Sequence, residues 1–154
     1  MNAFDLVPRK MLDDDIPWVM QMEIESYPFP WTEGIFRDCL KVGYQCWVFE
    51  WNAAAVGYAI LSVAVGEAHL LNLCVKPSEQ RKGIGKDILR YLVERAMAHK
   101  AENLFLEVRE SNRTAINLYH AEGFHQIGIR VGYYPAKKGK EDAIVMAKPL
   151  AFSS

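Results

Sequence analysis

Three apolar segments of strand length follow one another with only short turns between them, and this succession limits the possible folds more than any other feature. The segments span residues 44–51, 56–65 and 68–75, with Asn52-Ala53 and Gly66-Glu67 in the turns. Apolar runs that are separated by short turns are typical of an antiparallel meander. The sequence therefore predicts three neighbouring antiparallel strands in the middle of the chain.

The spacing of apolar residues then changes from that of a strand to that of a helix. From Ile84 to Met97 they recur at every third or fourth position, which predicts an amphipathic helix over residues 83–99. A strand over residues 104–108 follows, and a helical crossover between two strands of one sheet makes those strands parallel. The meander and the crossover together predict a mixed sheet.

Further predicted elements extend this arrangement on both sides. Before the meander, we expect a strand at 4–10, a helix at 13–26 and a second helix, which Thr32 caps and which ends near Leu40. After the strand at 104–108, we expect a helix that Ser111 or Asn112 caps and that Gly123 ends. Strands at 124–131 and 143–147 follow, with a basic loop at 135–142 between them. The order βααβββαβαββ predicts an α+β fold, in which helices flank a mixed antiparallel and parallel central sheet. The length of 154 residues and the lack of any repeat or flexible linker predict a single domain over residues 1–154.

Cysteine, histidine and hydropathy patterns argue against several classes of protein. The three cysteines form no CxxC pair and the four histidines have no HExxH spacing, so we expect neither a disulfide framework nor a metal site. No stretch approaches the roughly 18 apolar residues of a membrane span, and residues 1–10 lack the apolar run of a signal peptide. These patterns favour a cytoplasmic protein with reduced thiols.

The net charge of −1 hides two segments of opposite sign. Residues 11–38 carry seven acidic residues against Arg37 alone, whereas residues 81–100 carry six basic residues against two acidic ones. The near-neutral total argues against a general nucleic-acid binder. The separation of charge instead predicts one site for an anion and another for a cation.

The turn before the long helix has the features of a diphosphate site. Gly83 and Gly85 let the backbone approach a ligand closely, and a helix start offers unpaired N–H groups at the positive end of its dipole. Arg81, Lys82 and Lys86 add positive charge. An ordinary strand–helix turn with a basic, solvated first turn is the alternative interpretation of the same residues.

Two common nucleotide-binding motifs do not fit this turn. A P-loop requires glycine at position 80 and a hydroxyl residue at position 87, where this chain has Gln80 and Asp87. A dinucleotide-binding fingerprint requires a third glycine at position 88, which is Ile88. Both nucleotide interpretations therefore fail.

The turn resembles the acetyl-CoA motif of the GNAT N-acetyltransferase superfamily. Residues 80–85, Gln-Arg-Lys-Gly-Ile-Gly, match the pattern Q/R-x-x-G-x-G/A in full. The resemblance implies the GNAT fold and acetyl-CoA as acetyl donor, with the pyrophosphate held around Arg81, Lys82, Gly83, Ile84, Gly85 and Lys86. It also implies that the preceding strand binds pantetheine and the thioester carbonyl through the backbone of Leu73, Cys74 and Val75.

A longer segment is similar to one group within that superfamily. Residues 104–124 contain LEVRxSNxxAxxLYxxxGF, the signature of the bacterial ribosomal-protein-alanine N-acetyltransferases, the RimI group. Phe29-Pro-Trp31, Tyr133-Tyr-Pro135 and Glu141-Asp-Ala-Ile144 match as well. The resemblance implies an acceptor, the N-terminal peptide of the eighteenth small-subunit ribosomal protein. It also implies three roles: a general base, a general acid and a CoA contact, which fall on Glu107, Tyr119 and Asn112 respectively.

Residue patterns alone leave these roles open. Side chains alternate along residues 104–108, so Glu107 faces away from the apolar ones, either toward a cleft or as a solvated strand carboxylate. Tyr119, on the next helix, fits either a catalytic hydroxyl or ordinary core packing. We expect Cys74 to be a buried structural residue rather than a nucleophile, because free cysteines in proteins are commonly buried.

The residues and the resemblance together predict direct acetyl transfer to a protein N-terminal alanine. An α-amine with a pKa near 8 is about 10% neutral at pH 7, against about 0.04% for a lysine amine, so a base has less to supply for an N-terminus. Another protein N-terminus, an internal lysine, a small amine and a non-catalytic CoA-binding module are the alternatives. We expect neither nucleic acid nor a membrane as partner. The acidic segment, including Glu25 and Glu33, is expected to favour a basic peptide.

Overall fold

The computed structural model describes residues 5–150 and confirms the predicted α+β fold. In that part of the chain, seven strands are hydrogen-bonded in the order β1-β2-β3-β4-β5-β7-β6, and the chain order of strands and α-helices is the predicted one. The strands are β1 Leu6–Lys10, β2 Gln45–Trp51, β3 Ala54–Ala64, β4 Glu67–Val75, β5 Asn103–Arg109, β6 His125–Pro135 and β7 Lys140–Pro149. The helices are α1 Ile16–Ser26, α2 Glu33–Val42, α3 Ile84–Ala98 and α4 Arg113–Ala121. The predicted first strand includes Phe4, which lies outside the described residues.

The predicted helical crossover is confirmed. β4 runs parallel to β5, with Glu67 opposite Asn103 and Leu70 opposite Leu106, and α3 lies between these two strands in the chain. The pairs β1–β2, β2–β3, β5–β7 and β6–β7 are antiparallel. Within residues 5–150, no helix is both long enough and apolar enough to cross a membrane.

The chain forms two compact units, of which the first comprises residues up to 62 together with 71–92. Its core is centred on Tyr58, whose ring meets Trp18 and Phe36 edge-on at centroid distances of 6.1 and 5.8 Å. Edge-to-face aromatic pairs of this kind add roughly 0.5–1.5 kcal/mol each beyond their buried area. Tyr58 is therefore held in a fixed position, and its hydroxyl is fixed with it.

The second unit comprises residues 63–70 together with those from 93 onward. The alternation predicted for β5 is confirmed, since Leu104, Leu106 and Val108 are buried and Glu107 lies on the other, partly exposed face. Side chains alternate across a strand, so the same pattern that builds this core also turns Glu107 away from it. The single domain over residues 1–154 stays a prediction.

The predicted ends of α2 are largely confirmed. Thr32 Oγ1 accepts a hydrogen bond from Ile35 N at 3.2 Å and caps the start of the helix. The helix runs to Val42, two residues beyond the predicted Leu40, and Gly43 ends it with a φ of +87°. A left-handed residue after a helix favours glycine, which explains why the helix stops there.

Helix α1 begins at Ile16 rather than at the predicted Asp13, because the three preceding aspartates form a 3₁₀ turn. The Asp15 carboxylate accepts hydrogen bonds from Leu12 N at 2.8 Å and from the Arg9 guanidinium at 2.7 and 2.8 Å. These bonds hold the pKa of Asp15 below its usual range, the side-chain bond to Arg9 contributing most. The aspartates therefore stabilise a turn before the helix instead of its first turn.

The predicted loop at 135–142 is too long, because β6 extends to Pro135 and β7 begins at Lys140. Pairing continues through Tyr134 opposite Glu141 and Pro135 opposite Lys140. Two extra residues of β6 form a bulge between Arg130 and Tyr134, where Asp142 Oδ1 accepts a hydrogen bond from Gly132 N at 2.8 Å. The glycines and lysines of this segment suggest a loop. In the structure the bulge takes up the extra residues, and the hydrogen-bonded pairing of β6 with β7 continues beyond it.

Candidate active site

The second half of β4 has one buried side chain, that of Cys74, between exposed and partly exposed ones. The parallel pairing with β5 ends at Leu70, and β4 continues for five residues to Val75. Cys74, within that stretch, is buried and donates a hydrogen bond from Sγ to Ser26 Oγ at 3.3 Å. Burial raises the pKa of the Cys74 thiol and keeps it protonated. The expected structural role of Cys74 agrees with this environment.

The turn after β4 is held in place at its start. Lys76 N donates to Val56 O at 2.8 Å, and Gln80 Nε2 donates to Val75 O at 3.2 Å. Arg81 and Gly83 then take φ values of +68° and +81°. Left-handed backbone is costly for residues other than glycine, so the turn has a defined shape rather than a relaxed one.

The start of α3 presents backbone N–H groups as the sequence predicted. The bond from Asp87 N to Gly83 O at 3.1 Å is the first of the helical pattern. The amides of the four preceding residues, from Gly83 to Lys86, come before that bond and have no partner in residues 5–150. Successive free amides at a helix start bind a phosphate group well.

The positive charge around this turn is partly neutralised. Lys82 Nζ lies 2.8 Å from Glu79 Oε2 and 5.7 Å from the centroid of the Trp51 ring. Arg81 and Lys86 have no ion pair among residues 5–150. They are therefore the residues whose charge remains available to an anion at the turn.

In the second unit, several side chains converge on the Glu107 carboxylate. Arg130 Nε lies 3.2 Å from Glu107 Oε1, with 57% of the arginine and 28% of the glutamate side chain exposed. Burial raises the pKa of Tyr133 most, and the Glu107 carboxylate, which is hydrogen-bonded to the Tyr133 side chain, raises it further. Burial and then Glu107 raise the pKa of Tyr134 to about 12. Glu107 is thus a half-buried carboxylate with one oxygen paired and two protonated phenols beside it.

Tyr119 is almost fully enclosed, with 9% of its surface exposed. Its ring packs on Phe124 at 5.6 Å, and burial followed by Tyr134 raises the pKa of Tyr119 to about 12. The raised pKa keeps the Tyr119 hydroxyl protonated at neutral pH.

Tyr134 is positioned by a clamp between β5 and β7. Arg109 donates to Glu141 Oε1 at 3.1 Å and to Pro135 O at 2.7 Å, and its guanidinium lies 4.5 Å from the Tyr134 ring centroid. Ser111 N donates to Glu141 Oε2 at 2.8 Å. The hydrogen bonds from Ser111 and Arg109 hold the pKa of Glu141 below its usual range. The clamp fixes the turn after β5 as well as the Tyr133–Tyr134 segment.

Asn112 has a structural role that does not require a ligand. Its Oδ1 accepts a hydrogen bond from Ala115 N at 3.2 Å and caps α4, so the cap falls on Asn112 rather than Ser111. The carbonyl oxygen of the side chain is thereby engaged, and its amide nitrogen is the part left to contact a ligand.

Sequence reasoning missed three residues, one in the first unit and two in the second. Glu23 is buried and hydrogen-bonded, and a signal for it exists, because it continues the apolar face of α1 marked by Ile16. Arg130 and the role of Tyr134 had no comparable signal, since their neighbours depend on how β6 pairs with β7 on either side of a bulge. Residues 5–150 contain no group of three or more His, Cys, Asp or Glu side chains arranged to hold a metal ion.

Comparison with known proteins identifies the family. Residues 16–124 match the Acetyltransferase (GNAT) family. Over 137 residues, the chain is 37% identical to the ribosomal protein bS18-alanine N-acetyltransferase of Escherichia coli strain K12, covering 89% of this chain and 93% of that protein. The crystal structure of the ribosomal-protein-S18-alanine N-acetyltransferase from Escherichia coli matches with a TM-score of 0.89 and 34% identity, covering 97% of this chain and 96% of that chain.

A more distant structure shares the fold. YncA from Salmonella typhimurium, whose structure contains its cofactor acetyl-CoA, matches with a TM-score of 0.77 at 18% identity, over 96% of this chain and 95% of that one. The family match covers well over half of the chain, and the Escherichia coli relative spans nearly all of it. The chain therefore belongs to the GNAT family of acetyltransferases.

Proposed function

We propose that this chain transfers the acetyl group of acetyl-CoA to the α-amine of the N-terminal alanine of ribosomal protein bS18. The observation that carries the proposal is the 37% identity over nearly all of both chains to an enzyme named for that reaction. The reaction belongs in the cytoplasm, where ribosomal proteins are made. The acceptor is the N-terminal peptide of bS18, with no direct contact to nucleic acid or membrane.

On the donor side, acetyl-CoA supplies the activated acetyl group as a thioester. The free amides from Gly83 to Lys86 bind its pyrophosphate, with Arg81 and Lys86 adding charge. Lys82 contributes less, because Glu79 already pairs with it. The backbone of Leu73–Val75 binds the pantetheine arm and donates a hydrogen bond to the thioester carbonyl, where negative charge develops during attack.

Two side chains, Asn112 and Cys74, account for the remaining contact with acetyl-CoA and for the absence of an acetyl-enzyme intermediate. Asn112 contacts CoA through its amide nitrogen, because its oxygen caps α4. Cys74 is buried and protonated, which makes it unsuitable as an attacking thiolate. Direct attack of the acceptor amine on the thioester therefore needs no acetyl-enzyme intermediate.

Glu107 acts as the general base for the acceptor amine. Arg130 pairs with Oε1, and the Tyr133 phenol is also hydrogen-bonded to the carboxylate. The carboxylate takes the proton of the amine, directly or through one water molecule. About 10% of an α-amine with a pKa near 8 is already neutral at pH 7, so the base completes a modest task. A lysine amine would require far more, which favours an N-terminal acceptor.

Tyr119 acts as the general acid toward the departing sulfur. Its raised pKa of about 12 keeps the hydroxyl protonated at the moment of transfer. The hydroxyl donates a hydrogen bond to the thiolate as the carbon–sulfur bond breaks and delivers the proton that makes CoA a free thiol. The proton lost by the amine is taken by Glu107, so the overall transfer is balanced.

Mass spectrometry on a set of acceptors tests this proposal. Purified protein is incubated with acetyl-CoA and the N-terminal bS18 peptide, the same peptide with a blocked α-amine and a free lysine, or spermidine. The expected result is acetylation of the first peptide alone. Acetylated lysine or spermidine without α-amine acetylation would contradict the proposed acceptor, and bound acetyl-CoA with no turnover on any acceptor would indicate a non-catalytic module.

Substitution of Gly83 by alanine is expected to weaken CoA binding. The φ of +81° strains any L side chain, so the turn relaxes and moves the amides that face the pyrophosphate. Loss of one hydrogen bond to a charged group corresponds to roughly a tenfold to hundredfold increase in Kd, measurable by titration calorimetry.

Gly66→Ala is the matched control for Gly83→Ala. Gly66 has a φ of +79°, and at neither position would an added Cβ meet an atom within 4 Å. Both variants should lose similar thermal stability, yet the Kd for CoA should change only in Gly83→Ala. Equal affinity in both variants would contradict the role given to the glycine turn.

Glu25→Lys is expected to raise KM for the basic bS18 peptide. Asp13 and Glu33 already pair with Arg37, so Glu25, which is exposed, is a clearer test of the acidic segment. An exposed charge pair is worth up to about 1 kcal/mol, or roughly a fivefold change in KM, and this effect should fade with added salt.

Glu94→Lys, on the exposed face of α3, alters the net charge of the protein by the same amount. Peptide KM should stay at the wild-type value in this control. The same KM in Glu25→Lys and in the wild type would show that the acidic segment does not select the peptide.

A further inference from the structure

Glu23 is a buried charge with three hydrogen-bond donors around it. Only 2% of its surface is exposed, and within residues 5–150 it is the one charged residue in the buried class. Oε1 accepts hydrogen bonds from Tyr58 Oη at 2.5 Å and Asn72 Nδ2 at 3.0 Å, while Oε2 accepts one from Trp31 N at 2.9 Å. Burying a carboxylate is costly unless it is fully hydrogen-bonded, so an arrangement of this kind needs all three donors.

The three donors come from different parts of the first unit. Trp31 ends the connector Tyr27–Trp31 between α1 and α2, Tyr58 lies on β3, and Asn72 lies on β4. Two prolines within the connector restrict its backbone. Glu23 therefore links Trp31, at the end of this stiff connector, to β4, the strand that precedes the glycine turn.

A second hydrogen bond fixes the other end of the same connector. Tyr27 Oη donates to Leu73 O at 2.5 Å, one residue along β4 from Asn72. The connector is thus tied to adjacent residues of β4 at both of its ends. Between these ties, Phe29 is exposed at the surface, where an acceptor could contact it.

We infer that Glu23 is a positioning residue, which sets the connector Tyr27–Trp31, with its exposed Phe29 as a contact for the acceptor, against the β4 segment that holds the thioester. This inference rests on the proposed function, in which Leu73–Val75 bind the acetyl donor. Glu23 itself is too enclosed to touch the amine, so it acts through Trp31 and Asn72. Its loss should affect the use of the peptide and leave the binding of CoA at the glycine turn unchanged.

Glu23→Gln tests the inference because it keeps the size of the side chain but removes one acceptor oxygen. Because Tyr58 and Asn72 both donate to Oε1 and only Trp31 N donates to Oε2, the remaining oxygen keeps the two side-chain donors and the Trp31 amide loses its partner. Peptide KM should rise by about tenfold or more, the equivalent of one hydrogen bond to a charged group. The Kd for CoA should stay constant, and the Trp31 amide should exchange its hydrogen faster.

Tyr58→Phe provides a second variant, which keeps the ring contacts with Trp18 and Phe36 and removes one donor. Its peptide KM should rise in the same way. Val48→Ala is the control, since it opens a cavity at a fully buried core residue that has no part in the Glu23 hydrogen bonds. It should lower thermal stability and leave peptide KM unchanged.

Two results would overturn the inference. One is a wild-type peptide KM in both Glu23→Gln and Tyr58→Phe, and the other is an increase in the Kd for CoA that is as large as the increase in peptide KM. Failure of the proposed function is distinguishable, because the wild-type protein would then acetylate no N-terminal peptide. The exchange rate of the Trp31 amide would still decide whether Glu23 holds the connector, since that measurement needs no turnover.

Discussion

Replacing Glu107 with glutamine lowers kcat/KM for the bS18 peptide by roughly 10²- to 10⁴-fold at neutral pH, the range that a positioned general base contributes. Glutamine keeps the shape of the side chain on the half-exposed face of β5 but cannot take a proton. The deficit should shrink as the pH rises above about 8, because the α-amine then loses its proton to water. Initial rates measured across this pH range, with CoA release as the readout, test both points.

Glu110→Gln is the matched control for this substitution. Glu110 is an exposed glutamate in the turn after β5, and we assign it no part in the reaction. Its kcat/KM should equal that of the wild type at every pH. A Glu107→Gln enzyme with normal kcat/KM, or one whose deficit is the same at every pH, would contradict the role of Glu107 as base.

Tyr119→Phe has the second large expected effect, a fall in kcat of about 10²-fold or more. Phenylalanine preserves the ring that packs on Phe124, so the variant should fold and bind CoA normally. The hydroxyl that protonates the leaving thiolate is the part removed. Steady-state rates at saturating acetyl-CoA and peptide measure the effect.

The pKa of Tyr119 adds a second, independent expectation. Burial and then Tyr134 raise the pKa to about 12, so the acid stays protonated. The wild-type enzyme should therefore show no loss of kcat from this group even at about pH 10, where an ordinary tyrosine is half ionised. Tyr44→Phe, at an exposed tyrosine, is the control and should behave as the wild type. Normal kcat in Tyr119→Phe would rule out the proposed acid.

The predictable part of the fold follows from local patterns. The strand alternation at Leu104 and Leu106 and the helix caps at Thr32 and Asn112 all depend on residues within one or two turns of the chain. Such signals need no knowledge of distant partners, because hydrophobic period and backbone conformation are set locally. The element order and the parallel crossover were predictable for the same reason.

The environment of Glu107 was less predictable than its position. Its strand face follows from alternation, but its contact with Arg130 depends on the register of β6 on β7, in which Gly128 lies opposite Val145 and Arg130 opposite Ala143. A register shift depends on how two whole strands pair, and no short pattern in either strand reports it. The loop prediction at 135–142 failed for the same reason, because the pairing of Tyr134 with Glu141 and of Pro135 with Lys140 is also set by the two strands together.

Glu23 shows a different limit of sequence reasoning. Its place on the apolar face of α1 marks it as unusual, since an unpaired glutamate would not be buried there. Its partners Tyr58 and Asn72 are 35 and 49 residues away in the chain. The pattern could therefore point to a buried charge, while only the folded chain reveals what that charge holds.

Intact-mass and fragmentation analysis of unacetylated bS18 after incubation with this protein and acetyl-CoA tests the central claim most directly. The expected result is one added acetyl group per bS18 molecule, located on the α-amine of the N-terminal alanine, with release of free CoA and little product with Glu107→Gln. Unmodified bS18, under conditions where the same preparation binds CoA, would contradict the account, as would acetyl groups found on lysine side chains alone.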